Sequence, residues 1–156
     1  MPMQPVEDII FRKARADDIP AIAALLADDP LGATREDARD LATYHRAFEA
    51  MSAQQGNMML VAEQTGRVVG CLQLTIIPGL SRRGVTRGLI EGVRVAAESR
   101  GLRIGERLIG HAIDLARQAG CGLVQLTSDN SRGDAHRFYE RLGFVASHVG
   151  FKLALD

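Results

Sequence analysis

The sequence lacks several features that would place it in a specialised class of protein. It contains no tryptophan and only two cysteines, Cys71 and Cys121, which lie far apart in separate apolar runs. Cysteines so placed form neither a disulfide framework nor the paired motif of a zinc site. We therefore predict two small core side chains in a reducing cytoplasm, and no metal site.

Long hydrophobic runs and an excess of either charge are also missing. No apolar stretch reaches the roughly 18 residues that cross a membrane, and residues 1–8 carry acids instead of an apolar signal segment, so we expect no membrane association and no signal peptide. Lys plus Arg and Asp plus Glu number 19 each, which disfavours a dedicated nucleic-acid-binding protein. With 156 residues, 46% of them hydrophobic, we predict one domain spanning residues 1–156.

Charge is nevertheless uneven along the chain. Residues 1–50 hold ten acids against six bases, whereas residues 82–107 hold seven arginines against three acids. Solvated charges scattered by chance explain this pattern, and so does an anion site in the middle of the chain with a cation-attracting surface before it. Charge alone leaves both interpretations open.

Apolar periodicity predicts the element order β-α-α-β-β-β-α-β-α-β. Strands are expected at 9–14, 58–63, 67–77, 89–96 and 121–127, the last of them central and buried, and one or two more within 144–155. Helices are expected from residue 19, after a cap at Thr34, over 104–119 and over 134–142. The predicted fold is α+β, with a single mixed, mostly antiparallel sheet flanked by helices and one parallel strand pair across 89–127.

The junction between the strand at 89–96 and the following helix is the most informative segment. It reads Arg100-Gly101-Leu102-Arg103-Ile104-Gly105-Glu106. A helix N-terminus offers unpaired N–H groups and a positive dipole end, which together bind phosphate, and glycine lets a bulky anion approach the backbone. Neither a P-loop nor a Rossmann fingerprint is present. An ordinary glycine-containing turn with solvated arginines is the alternative.

Two further side chains are candidates for acid–base chemistry. Tyr139 lies about 100° round its helix from Phe138, away from the core stripe, so its hydroxyl could point into a cleft; a boundary tyrosine is the alternative. Glu91 shares a predicted strand face with Leu89, Val93 and Val95. A carboxylate buried there would be a candidate base, and one at a strand end would simply face water. Gly92 beside it suits a β-bulge.

Taken together, these motifs resemble those of the GNAT superfamily of N-acetyltransferases. The family's acyl-CoA motif, R/Q-x-x-G-x-G/A, corresponds to Arg100 through Gly105, and its later motif, an Asn before a helix with A-x-x-F-Y-x-x-L-G-F, corresponds to Asn130 and residues 135–144. The match is close over residues 89–144, and element order extends it over most of the chain. Arg103 departs from the pattern, because the family usually has glycine there.

The resemblance implies acetyl-CoA as the donor, held by a central parallel strand pair splayed around it, and no metal. Val93, Arg94 and Val95 would face the pantetheine arm, with the Val93 N–H donating to the thioester carbonyl. Asn130 would hold the donor from the other side. The remaining donor-binding residues implied by the family motif form the pyrophosphate cradle: Arg100, Gly101, Leu102, Arg103, Ile104, Gly105 and Glu106.

The resemblance also implies acetyl transfer to a primary amine by direct attack, in a cytoplasmic enzyme compatible with a homodimer. Tyr139 would protonate the leaving thiolate as general acid, and Glu91 is our candidate general base. The acceptor is a small-molecule amine or an exposed protein amine, and the early acids favour a cationic one. A non-catalytic acyl-CoA sensor or regulatory domain is the alternative function.

Overall fold

The computed structural model describes residues 9–129 and 131–156. Its strands are β1 (Ile9–Lys13), β2 (Asn57–Gln64), β3 (Arg67–Ile77), β4 (Arg87–Val95) and β5 (Leu123–Leu126). Its helices are α1 (Ile19–Ala27), α2 (Gly32–Arg35), α3 (Leu41–Ala53), the single turn α4 (Ser81–Gly84), α5 (Ile104–Gln118) and α6 (Gly133–Arg141). Short 3-10 turns occupy Ala16–Asp18 and Ala97–Ser99.

The five strands form one sheet in the order β1-β2-β3-β4-β5. The first four pair antiparallel with their neighbours, and β4 and β5, joined through α5, form the parallel pair. The predicted α+β class and mixed sheet are therefore confirmed.

Helix α5 packs closely on one face of the sheet because glycines lie beneath it. A methyl group added at Gly70 would lie 3.4 Å from Ile104 Cγ2, and one added at Gly88 would lie 3.2 Å from Ala116 Cβ. The α5 side chains that face the sheet recur at helical spacing and are buried: Ile104, Leu108, Ile109, Ala112 and Ala116. Burying each large apolar side chain contributes about 1.5–3 kcal/mol.

Helix α1 lies against β3 and β4, with Ile22 and Ala23 buried. Its start is tied to the sheet by an ionic network. The Arg12 guanidinium donates to both oxygens of Asp18, at 2.7 and 2.9 Å, and to Glu63 of β2 at 3.3 Å. The Arg15 amide also donates to Asp18. Hydrogen bonds from Arg12 hold the pKa of Asp18 below its ordinary value, although burial opposes the shift.

The predicted cap at Thr34 was wrong, although a helix is present over much of the predicted region. Two helices, α2 and α3, occupy this region, and Thr34 lies inside α2 with its hydroxyl donating to the Leu31 carbonyl. Asp40 caps α3 instead, because its carboxylate accepts from both the amide and the hydroxyl of Thr43.

The expected final strands are also absent, since the structure assigns no strand to residues 144–156. Alternating apolar residues form a strand only when a neighbouring strand pairs with them, and here Val149, Phe151 and Leu153 are exposed. Among the described residues, β5 is therefore an edge strand of the sheet and not the central, buried strand that its composition predicted.

The chain forms two compact units, one ending at Gln125 and the other beginning at Leu126. Each unit is described by itself below. That residues 1–156 act as one functional domain stays a prediction.

Candidate active site

A β-bulge interrupts β4 where the sequence predicted one. The pairing with β3 runs Gln73 to Glu91 and then jumps from Cys71 to Arg94, so two β4 residues, Gly92 and Val93, oppose one β3 residue. Gly92 has φ +61°, a conformation that favours glycine. A bulge leaves backbone groups outside the regular ladder, where they can bind a ligand.

The bulge also corrects the expected face of β4. Because it inserts one residue, alternation reverses after it, and Val95 comes opposite Gly70, which lies under α5. Glu91, opposite Gln73, lies on the other face, which is the α1 side of the sheet. The prediction that Glu91 and Val95 share a face was therefore wrong.

Glu91 is exposed. Of the two alternatives drawn from the sequence, the structure shows the carboxylate that faces water and not the one buried among aliphatic side chains. An accessible carboxylate beside the bulge is able to accept a proton directly or through a water molecule.

Arg94, just after the bulge, uses its side chain within the protein. Its Nε lies 2.8 Å from Asp29 Oδ2, and both side chains are mostly buried, at 18% and 12% exposed. Asp29 also accepts from the Gly32 amide, so this ion pair holds the turn between α1 and α2 against β4. No local sequence pattern connects Asp29 with a partner more than sixty residues away.

The same turn borders an open pocket of about 440 Å³ that reaches the segment after β4. On one side of the pocket are residues of the α1–α2 turn, and on the other are Ala97 and Arg100.

The segment from Gly101 to Glu106 has the unpaired amides expected of an anion cradle. Gly101 has φ +90° and Arg103 has φ +59°, after which α5 begins. Throughout the described part of the chain, no backbone oxygen accepts a hydrogen bond from the amides of residues 101–106. These N–H groups lie at the positive end of a 15-residue helix.

The side chain of Arg103 is held by its own helix. Its guanidinium donates twice to Glu106, at 2.8 and 3.1 Å, and remains largely exposed. The left-handed backbone at this position explains why glycine suits it.

In the second unit, α6 ends in a Schellman cap that carries the L-G-F sequence. The Phe144 amide donates to the Tyr139 carbonyl, and the Gly143 amide, with Gly143 at φ +96°, donates to the Glu140 carbonyl. The hydrophobic contact typical of this cap joins the rings of Tyr139 and Phe144, whose centroids are 6.0 Å apart. Phe138 packs edge-on against Tyr139 at 5.2 Å. The half-buried Tyr139 ring is therefore fixed by its neighbours. Asn130 lies outside the described residues.

Comparison with known proteins shows to which family the chain is related. The sequence model of the Acetyltransferase (GNAT) family matches residues 19–144, which is most of the chain. The protein belongs to the GNAT acetyltransferase family.

Several relatives of this GNAT chain span nearly its whole length. The aminoalkylphosphonate N-acetyltransferase of Salmonella typhimurium is 31% identical over 145 residues, covering 93% of this chain and 90% of that protein. A crystal structure from Bacillus halodurans C-125, described as a transcriptional regulator, is 41% identical with a TM-score of 0.91 and covers 95% of this chain and all of the other. An acetyltransferase from Trypanosoma brucei is 30% identical with a TM-score of 0.71, at 95% and 100% coverage.

Neither cysteine of this GNAT chain is suited to nucleophilic attack. Cys71 is fully buried in β3, and burial raises the pKa of its thiol to about 12. Burial also raises the pKa of Cys121. A thiol kept protonated at neutral pH is a poor nucleophile, which agrees with the expectation of direct transfer.

Two negative findings apply to the described residues of this GNAT chain. Within 9–129 and 131–156, no three or more His, Cys, Asp or Glu side chains cluster as metal ligands would. No helix among those residues is both long enough and apolar enough to cross a membrane.

Proposed function

We propose that this protein transfers an acetyl group from acetyl-CoA to a primary amine by direct attack in a ternary complex. The supporting observation is the run of unpaired amides at residues 101–106, which follows a strand whose bulge frees backbone groups at Gly92 and Val93. In this proposal, the helix start would bind a diphosphate and the preceding strand would bind an acyl group.

The donor would lie along β4 and the start of α5. Val93 and Val95 would offer backbone groups to the pantetheine arm as to an added strand, and the Val93 N–H would stabilise the oxyanion. Arg94 would contribute through its backbone, since its side chain is paired with Asp29. The cradle of Arg100 through Glu106 would hold the pyrophosphate, and Asn130 would contact the donor from the other side.

The acceptor must lose a proton before or during its attack. An amine with a pKa near 10.4 is mostly protonated at neutral pH, so a base has to accept a proton from it. Glu91, exposed beside the bulge, would do this directly or through water. Tyr139 would then give its proton to the departing thiolate, because a phenol is a suitable donor to that anion.

Two measurements test this function. Acetyl-CoA and CoA at about 100 times Kd should each stabilise the fold by about 2.7 kcal/mol, a rise in Tm of roughly 5–10 °C, whereas NAD should not. The wild-type protein should then acetylate at least one member of a panel containing an aminoalkylphosphonate, glucosamine 6-phosphate, a polyamine and a lysine peptide. A protein that NAD stabilises as well as CoA would contradict the proposed donor.

The alternative is a non-catalytic acyl-CoA-binding sensor or regulatory domain. It is favoured by one observation, that the Bacillus halodurans relative is described as a transcriptional regulator. Stabilisation by acetyl-CoA without acetylation of any amine in the panel, together with salt-dependent binding to DNA, would support this alternative.

Replacing Arg103 by glycine tests whether the cradle binds acetyl-CoA through its backbone amides or through the arginine side chain. Glycine adopts the observed φ of +59° without a Cβ penalty and leaves the amides in place, so the Kd for acetyl-CoA should stay within about threefold of wild type. Arg103→Val should weaken binding by more than about fivefold, since a β-branched residue disfavours this backbone. Isothermal titration calorimetry measures both. A tenfold loss in Arg103→Gly would mean that the arginine side chain itself contacts phosphate.

The rest of the proposal concerns the setting of the reaction. We place the enzyme in the cytoplasm, with a small-molecule amine or an exposed protein amine as its acceptor and no nucleic acid or membrane as partner. A homodimer is compatible with the family, and light scattering would measure the oligomeric state.

A further inference from the structure

A row of polar side chains crosses the sheet next to the bulge. Asn57 of β2 pairs with Thr75 of β3, and Gln73, two residues before Thr75, pairs with Glu91 of β4. Strand side chains alternate between faces, and Gly88 lies under α5, so Glu91 and its cross-strand neighbours lie on the opposite face. Asn57, Gln73 and Thr75 are half-buried, whereas Glu91 is exposed.

Hydrogen bonds orient the amides in this row. The Gln73 Nε2 donates to Asn57 Oδ1 at 2.9 Å, and the Asn57 Nδ2 donates to Gln54 Oε1 at 2.9 Å. The Thr75 hydroxyl also donates to Asn57 Oδ1, at 3.4 Å. The Gln73 and Asn57 side chains each donate through their amide nitrogen, so the carbonyl oxygen of Gln73 is at the end of this chain of hydrogen bonds. That oxygen accepts no hydrogen bond from any described residue.

That oxygen belongs to the side chain directly across from Glu91. Opposite residues on neighbouring strands have Cβ atoms about 5 Å apart, so the Gln73 and Glu91 side chains leave the same face of the sheet side by side. The next β4 residue is Gly92, in the bulge, and a methyl group added there would lie 3.6 Å from Leu26 of α1. The end of α1 therefore lies over the bulge, and the polar row begins immediately beside it.

We propose that Gln73 binds the acceptor amine, its side-chain oxygen receiving one N–H of the attacking nitrogen while Glu91 receives another. Two neighbouring acceptors suit an amine nitrogen that carries two or three N–H groups. When both acceptors are held in place, their hydrogen bonds orient the nitrogen so that its lone pair faces the acyl group. Asn57 is a positioning residue, since it holds the Gln73 nitrogen away and presents the oxygen. This inference rests on the proposed function.

The test is steady-state kinetics with whichever amine the panel identifies. Gln73→Leu removes the acceptor and should raise KM for the amine about 10- to 100-fold, the range for a hydrogen bond to a charged group, while KM for acetyl-CoA stays within about twofold. Gln73→Glu keeps an acceptor oxygen but loses the nitrogen that Asn57 holds, so KM for the amine should rise by less than in Gln73→Leu. Gln64→Leu, the same change near the β2–β3 hairpin, is the matched control and should alter neither KM.

The positioning role has its own readout. Asn57→Leu releases the Gln73 nitrogen, so it should raise KM for the amine less than Gln73→Leu does, and the double variant should show little further increase because both changes act on one contact. Should Gln73→Leu fail to fold, Gln73→Met carries the same test, since it keeps the length of the side chain without its polar atoms.

The outcomes separate the two proposals. A wild-type enzyme that acetylates an amine, with Gln73→Leu and Gln64→Leu indistinguishable in KM for that amine, overturns the role of Gln73 and leaves the proposed function standing. A wild-type protein that binds acetyl-CoA yet acetylates nothing overturns the proposed function, and this inference with it.

Discussion

Replacing Tyr139 by phenylalanine should lower kcat at least about 100-fold, the lower range for loss of a general acid, while KM for acetyl-CoA stays within about twofold. The substitution removes one oxygen atom and keeps the ring. The ring packs edge-on against Phe138 and Phe144, and Tyr139→Phe keeps both of these ring contacts. A change confined to kcat is expected of a group that acts only after the donor has bound.

The other tyrosine of the chain provides a matched control. Tyr44 lies in α3, where its hydroxyl donates to Glu36 at 3.0 Å, so Tyr44→Phe removes the same oxygen atom elsewhere in the molecule. We expect it to leave kcat within about twofold of wild type. Unchanged kcat in Tyr139→Phe would remove Tyr139 from the chemistry.

Asp18→Asn should lower the free energy of unfolding at pH 7 by about 2–4 kcal/mol, since removing one partner of a mostly buried ion pair leaves the other charge poorly compensated. Asp18 is 7% exposed and receives hydrogen bonds from Nη1 and Nη2 of Arg12 and from the Arg15 amide. Arg12 keeps its contact with Glu63, which limits the loss. Urea unfolding measures the change.

The same carboxylate makes stability depend on pH. The pKa of Asp18 is lower in the folded protein than its ordinary value of 3.8, chiefly because Arg12 donates to it. Its contribution is therefore fully present above that value and is lost as the pH falls through the folded pKa. Asp18→Asn should flatten this acid-dependent loss below about pH 5.

Asp37→Asn is the control for that pair of measurements. The Asp37 carboxylate is also bonded to an arginine, Arg39, but the Arg39 side chain is 93% exposed and Asp37 is 54% exposed. Exposed ion pairs contribute little, so unfolding at pH 7 should be nearly unchanged. If Asp18→Asn and Asp37→Asn lowered the free energy of unfolding equally, the Arg12 network would stabilise the fold no more than an exposed ion pair does.

Local sequence determined the parts of this protein that depend on a few adjacent residues. Three features could be predicted from short stretches of sequence: the apolar periodicity of α5, the glycine in the bulge and the cradle sequence after β4. Each depends on a local property, namely helical periodicity, a positive φ angle or unpaired amides at a helix start. The L-G-F sequence after Tyr139 is equally local, since one helix cap accounts for it.

Only the tertiary structure decided what depends on distant partners. The ion pair of Arg94 with Asp29 and the placing of Gln73 across from Glu91 join segments far apart in sequence. The face of the sheet on which a β4 side chain lies depends on the register between β3 and β4. The single residue inserted at Gly92 places Val95 on the face opposite to the predicted one. The end of the chain shows the same limit, because alternation predicts a strand but only a paired neighbour stabilises one, and the structure assigns none to residues 144–156.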